Sequence, residues 1–287
     1  MPPVLVAVDG SQQSWSVLPH VVRFAEALGQ PLLVTRILNP LLDVGDEYGP
    51  SILDAAQSVA VRWTGDMDRY IAEQGVKAET SVEIVGRKES ISDTIVRLAR
   101  EANSPAIAMN SRGTGAIHHL FLGSTSLAVL GKAERPVFLT GPAAEVPVAS
   151  DVYRVAITSD GSETARSGIT RFAEMLRSST IEPALLGVYS AAFGDRDPMR
   201  EMADARAHLE DMRTLFPDES HLHTHVFDAS EYESTARAIV RGAAEIGASL
   251  IAMSTHGHSV VRHIVVGSTA LGVLKQSPLP MLLTPAD

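Results

Sequence analysis

The chain has 287 residues, 45% hydrophobic and 20% charged, a composition that is typical of a folded globular protein and excludes a disordered one. Its formal net charge of −10 is spread along the sequence without a basic block, and it has no cysteine, which excludes disulfides and thiol chemistry. Because no signal-peptide pattern and no apolar run of about 20 residues is present, we expect a cytoplasmic protein that has neither nucleic-acid nor membrane partners.

The first half of the chain alternates short apolar runs with longer helical patterns, which is typical of βαβ units in a parallel sheet. The first helix follows Ser11, a suitable N-cap, and contains Pro19, which kinks it or marks its effective start. Later helices are predicted from about Ser51 to Gln74, from near Ser92, and after Gly123. Strands are predicted at Val4–Val8, Leu32–Ile37, Thr80–Val85, Ala106–Met109 and Val137–Thr140.

A second copy of this unit follows the first. Met109–Gly113 recurs as Met253–Gly257, and the same offset places Gly123-Ser124-Thr125 on Gly267-Ser268-Thr269 without an insertion. The starts of the copies match too, at a larger offset, so the second copy is shorter in its middle. Its strands are predicted at Tyr153–Thr158, Ala184–Tyr189, His223–Phe227, Leu250–Met253 and Met281–Thr284.

A segment that is rich in proline, alanine and glycine separates the copies. Residues 142–151 show no helical or strand periodicity, so we predict a first domain at 1–141, a linker at 142–151 and a second domain at 152–287. Five strands and four helices are expected in each domain, with helices on both faces because crossovers are right-handed. The predicted fold is α/β, with two doubly wound, Rossmann-like five-stranded parallel sheets.

The loop after the fourth strand of each copy has the composition of a phosphate site. Ligands of such sheets bind beyond the carboxyl ends of the strands. Glycines let main-chain amides approach an anion, and the start of a helix favours negative charge. The residues concerned are Gly113, Gly123, Ser124 and Thr125 in the first copy, and Gly257, Gly267, Ser268 and Thr269 in the second. Alternatively, the glycines only make a turn, and Ser124 and Ser268 only cap a helix.

These loops resemble the nucleotide signature of the universal stress protein family, in its tandem-domain form. That signature is a glycine, two residues, a second glycine, nine residues, and a third glycine followed by serine or threonine. Its second half is intact in both copies, whereas Asn110 and Ser254 occupy the position of the first glycine. The resemblance covers both copies almost end to end, apart from this departure at the first glycine.

The resemblance also implies contacts to the base. Asp9 and Asp160 match the aspartate that family members use near adenine, and Ile37 and Val188 match the apolar position that contacts it. The aspartates could instead close an Asx-turn. In the loop of the first copy, Arg112 carries a permanent positive charge and could reach a phosphate. Its counterpart in the second copy, His256, could pair with a phosphate or be solvated. Trp15 and Trp63 fit packing better than stacking on a base.

The resemblance therefore implies ATP, ADP or AMP as the ligand, with room for Mg²⁺ at the phosphates. We expect a stress-response regulator rather than an enzyme, because no lysine-ended phosphate loop or catalytic triad is present. The alternatives are a nucleotide-independent interaction protein with degenerate loops and, more weakly, a slow ATPase. We also expect an internal pseudo-dimer with the last strand of each copy at the domain contact, and further self-association into a homodimer is plausible.

Overall fold

The computed structural model describes residues 1–44, 52–86, 89–112, 122–159, 162–190, 197–216, 222–229, 233–255 and 266–285. Four predicted site residues lie outside these ranges: Gly113, Asp160, His256 and Gly257. The chain forms two compact units, one of residues 1–26 and 30–135, the other of residues 27–29 and 136–287.

The first unit contains a parallel sheet of strands in the order β3-β2-β1-β4. β1 lies at its centre and is buried along its whole length, as expected of a strand covered on both faces. The strands are β1 (Val4–Val8), β2 (Leu32–Leu38), β3 (Glu79–Ile84) and β4 (Ile107–Asn110). The helices are α1 (Gln12–Trp15), α2 (Leu18–Leu28), α3 (Pro40–Asp43), α4 (Ile52–Glu73), α5 (Ile91–Glu101) and α6 (Ser124–Leu130).

The predicted first helix is divided in two. Ser11 caps α1, since its side chain accepts from the Ser14 amide, and α1 ends at Ser16. Pro19 is the second residue of α2, where its lack of an amide proton costs nothing. Gly75 follows α4 with φ of +67°, a left-handed conformation that favours glycine after a helix.

The second unit contains strands in the order β5-β10-β9-β6-β7-β8. Neighbouring strands pair in parallel from β10 to β8, and β5 pairs antiparallel with β10. The strands are β5 (Val137–Thr140), β6 (Arg154–Thr158), β7 (Glu182–Ser190), β8 (His223–Ala229), β9 (Leu250–Ser254) and β10 (Met281–Thr284). The helices are α7 (Glu163–Leu176), α8 (Pro198–Arg213), α9 (Thr235–Glu245) and α10 (Ser268–Gln276).

The predicted α/β fold with a mostly parallel sheet is confirmed. The expected meeting of the last strands is observed too, because Phe138 of β5 lies opposite Leu282 of β10. This pairing gives β5 to the second compact unit, although it ends the first repeat in the sequence. The domain boundary at residue 141 stays a prediction. No helix among the described residues combines the length and apolarity that crossing a membrane requires.

Candidate functional site

A cavity of about 430 Å³ opens in the first unit at the carboxyl ends of β1, β2 and β4. This volume lies within the range of small-molecule pockets, roughly 300–1,000 Å³. The cavity lies beyond the ends of parallel strands, where ligands of such sheets bind. Seven predicted site residues line it: Asp9, Ile37, Asn110, Arg112, Gly123, Ser124 and Thr125.

Asp9 follows β1 and forms the turn that starts α1. Its Oδ1 accepts hydrogen bonds from the Ser11 amide at 2.9 Å and from the Ser11 hydroxyl at 2.6 Å. The alternative role as an Asx-turn is therefore present. Because Asp9 is exposed and also lines the cavity, its carboxylate combines this structural role with a position on the cavity wall.

Asn110 is buried at the end of β4, where the family signature has a glycine. Its Nδ2 donates to Ser16 Oγ at 2.7 Å, and its Oδ1 accepts from the Arg112 amide at 2.9 Å. These bonds direct the side chain to the start of α2 and to the loop. Asn110 therefore shapes the cavity wall without closing the cavity.

Gly123 is the N-cap of α6, and its amide is engaged within the protein. Gly123 N donates to the Ser111 carbonyl at 2.7 Å, so it is not available to an anion, contrary to the expectation for a glycine-lined cradle. No side chain caps α6. The donors at this end of the cavity are accordingly the amides of the first helical turn, from Ser124 to Ser126, with their share of the helix dipole.

Arg112 brings a permanent positive charge to the same end. It follows β4, lines the cavity and is half-buried. A guanidinium close to the start of a helix is a favourable combination for a phosphate. The structure therefore brings Arg112 together with Ser124 and Thr125, as predicted.

Two lining residues were missed by the sequence analysis as parts of a site. Arg36 lies on β2, and its guanidinium carbon stands 3.3 Å from the centroid of the Trp63 ring, on α4. Burial lowers the pKa of Arg36, against the opposing effects of the Asp43, Asp9 and Asp66 carboxylates. A charged residue within the apolar run of a central strand was the signal that could have found it. Trp15, by contrast, packs on Tyr70 as expected.

The start of α10 repeats the geometry of α6. Gly267 is its N-cap, and Gly267 N donates to the Thr255 carbonyl at 2.8 Å. Ser268 is exposed and Thr269 half-buried, like Ser124 and Thr125. Ser254 ends β9 beside the loop.

A cavity of about 400 Å³ in the second unit has a different wall. Val188 lines it, together with Glu201, Asp204 and His208 of α8. His208 Nε2 lies 2.9 Å from Ser159 Oγ. Among its described lining residues are neither Ser254 nor Gly267–Thr269, so this cavity does not bring Val188 together with those predicted residues of the second repeat.

Family comparison agrees with the repeat. The model of the universal stress protein family matches residues 1–140 and again residues 153–285. The chain belongs to the universal stress protein family. The two matches follow the two sequence repeats, each of which ends with its fifth strand, β5 or β10.

Individual members of the universal stress protein family show the same relationship. A universal stress protein of Thermus aquaticus is 31% identical over 136 residues, which are 47% of this chain and 96% of that protein. One from Mycolicibacterium smegmatis is 25% identical over 147 residues, 47% of this chain and 46% of that protein, so the match spans about half of its length. The crystal structure of a universal stress protein from Archaeoglobus fulgidus superposes with a TM-score of 0.67 at 22% identity, covering 99% of this chain and 96% of that one, and shows the shared fold.

Proposed function

We propose that this protein binds ATP or another adenine nucleotide in the cavity of the first unit and acts as a ligand-dependent regulator of the stress response in the cytoplasm. The observation that carries the proposal is the composition of that cavity. One side offers an aspartate and an apolar side chain, Asp9 and Ile37, and the other offers Arg112 and the uncapped start of α6. A nucleotide needs both kinds of surface, because its base is largely apolar and its phosphates are anionic.

The spacing of the strands suits this orientation. β2 and β4 lie on opposite sides of β1, and neighbouring strands are about 4.8 Å apart. The end of β2 with Ile37 and the end of β4 with Arg112 are therefore separated by roughly 10 Å. A nucleoside against β2 would carry its phosphates towards Arg112 and α6.

Mg²⁺ would enter with the phosphates and not through a protein cage. No cluster of three or more acidic or histidine side chains suited to a metal occurs within the described ranges. Mg²⁺ at nucleotide sites commonly keeps several waters and takes most other ligands from phosphate.

The proposal is tested by removing one amide without removing a helix. Ser124 is the first residue of α6, and Gly123 before it has φ of −68° and ψ of 155°, a conformation that a following proline accepts. Ser124→Pro deletes an amide that the helix itself does not use. A hydrogen bond to a charged group contributes about 1.5–3 kcal/mol, so we expect Ser124→Pro to weaken ATP binding by roughly 10- to 100-fold in calorimetry.

Ser268→Pro is the matched control, because Gly267 has φ of −65° and ψ of 156° before α10. We expect this variant to bind ATP like the wild type. Undiminished binding by Ser124→Pro, with the fold intact by circular dichroism, would contradict the assigned phosphate end.

A second function is favoured by one observation. The Gly123 and Gly267 amides are both satisfied by carbonyls of their own loops, as in loops that no longer hold a ligand. A nucleotide-independent interaction protein would have such loops. A ligand that binds only the native state raises the melting temperature, so an ATP-dependent rise in Tm supports nucleotide binding, and an unchanged Tm supports the second function.

A further inference from the structure

Arg36 is held with both faces of its guanidinium covered. Its Cζ stands 3.3 Å from the Trp63 ring centroid on one side. On the other side is Gly10, where an added Cβ would overlap Nη1 and would lie 2.6 Å from Cζ and 3.0 Å from Nη2. Because the central carbon is so close, it is the face of the guanidinium that lies against Gly10. The edge, which carries the five N–H donors, is the part left to interact.

That edge belongs to the wall of the cavity. Arg36 lines the cavity next to Ile37, at the end that β1 and β2 form. Among the described residues, none forms a hydrogen bond or an ion pair with the Arg36 guanidinium. A half-buried arginine that is fixed by stacking and lines a cavity is suited to bind acceptor atoms of a ligand.

The surrounding charges favour a neutral acceptor over a second phosphate. The carboxylates of Asp43, Asp9 and Asp66 all act electrostatically on Arg36, so negative charge is already present at this end of the cavity. A phosphate at this end would face these carboxylates, whereas purine ring nitrogens and ribose oxygens would not be repelled. The strand order also places Arg36 on the side of β1 away from Arg112.

We propose that Arg36, clamped between Trp63 and Gly10, is a specificity-determining residue that donates hydrogen bonds to the nucleoside part of the bound nucleotide. This inference rests on the proposed nucleotide binding in the first unit. It concerns that unit alone, because the alignment of Ile37 with Val188 puts Gly187 at the position equivalent to Arg36.

The test distinguishes binding of the nucleoside from binding of the phosphates. Affinities of the full chain for ATP and for inorganic tripolyphosphate are measured by displacement of a fluorescent ATP analogue. Arg36→Met keeps an unbranched side chain on Trp63 and removes the donors. We expect it to weaken ATP binding about 10-fold and to change tripolyphosphate binding less than twofold. Ser124→Pro should weaken both ligands. Arg62→Met, at an exposed position of α4, is the control and should change neither.

Arg36→Lys and fluorescence distinguish recognition from support of the fold. Lysine keeps the charge and loses the planar fork, so it should restore only part of the affinity for ATP. The chain has two tryptophans, and Trp15→Phe leaves Trp63 as the reporter. ATP should then change the Trp63 emission in the presence of Arg36 and much less in Arg36→Met.

Three results would overturn the inference. If Arg36→Met loses equal affinity for ATP and for tripolyphosphate, Arg36 contacts a phosphate. If its affinity for ATP is unchanged, Arg36 serves the fold alone. Full rescue by lysine would mean that charge alone matters. Failure of the wild type to bind ATP is a separate outcome, since it would reject the proposed function itself.

Discussion

At the residue scale, the site depends on side chains that serve the fold and the cavity together. Asn110 is the clearest case, because it occupies the position of a family glycine and bonds to Ser16 Oγ and to the Arg112 amide. The sequence alone shows that an asparagine stands at this position in place of the glycine. Its partners could not, since Ser16 lies far away in the chain and contacts Asn110 only because the first helix is interrupted there.

Asn110→Ala should destabilise the protein through these two bonds. Asn110 is 8% exposed and its partners would lose two partly buried hydrogen bonds, so we expect the free energy of unfolding to fall by about 1–3 kcal/mol in urea denaturation. Ser16→Ala removes one bond only and should cost less. If Ser16→Ala costs as much as Asn110→Ala, the bond to the Arg112 amide contributes nothing measurable.

His20 gives a second prediction at this scale, in the pH dependence of stability. It is 5% exposed in α2, and burial, with a smaller effect of Arg23, lowers its pKa from 6.5 to about 4. The unfolded chain therefore binds a proton on His20 at a higher pH than the folded protein does. The stability that depends on a neutral His20 is fully present above pH 6.5 and is lost as the pH falls towards 4.

The unfolding free energy of the wild type should fall between pH 7 and pH 5. We expect that of His20→Met to fall by about 2 kcal/mol less over the same range. Urea denaturation at the two pH values measures this difference, and the constant effect of the substitution cancels. Gln13→Met, at an exposed position of α1, removes no titratable group and is the control, which should follow the wild type. The same pH dependence in His20→Met and wild type would contradict the burial argument.

At the scale of elements, the sequence predicted the strands and helices well because each carries a local signal. The strands β1, β5 and β10 have the predicted bounds, and Ser11 and Gly75 mark helix ends as expected. The repeat also includes equivalent ion pairs on the surface of the two copies. Arg97 pairs with Glu89 and Glu101, and Arg241 pairs with Glu233 and Glu245, at the offset that relates the two glycine-containing loops.

Two helical glycines test how each helix is packed, with opposite expected signs. Gly65 lies in α4 with nothing within 4 Å of an added Cβ, so Gly65→Ala should stabilise the protein by about 1 kcal/mol. Gly168 lies in α7, where an added Cβ would overlap Thr284 Oγ1 on β10, so Gly168→Ala should destabilise it by about 1–3 kcal/mol. Thermal denaturation measures both, and two shifts of the same sign would refute this account of the packing.

At the scale of the whole molecule, the repeated sequence encodes two unequal cavities. Their volumes are similar, about 430 and 400 Å³, so the difference lies in the chemistry of their walls. Arg36 lines the first cavity, whereas Gly187, Glu201 and Asp204 line the second. The motifs predicted equivalent sites because the loops and caps were copied. The difference could not be predicted, because it comes from β2, β7 and α8, where the copies diverge and no motif marks a ligand contact.

This inequality leads to a prediction about stoichiometry. A polyanion is repelled by a wall with Glu201 and Asp204 and attracted by the end of the first cavity with Arg112 and the start of α6, so we expect one ATP for each chain of 30.6 kDa. Native mass spectrometry counts bound nucleotides directly. The ATP-bound species should be lost in Ser124→Pro and kept in Ser268→Pro. A wild-type chain that carries two nucleotides at low micromolar ATP would show that the acidic wall of the second cavity does not exclude the ligand, and that the copied loop of α10 is sufficient to hold it.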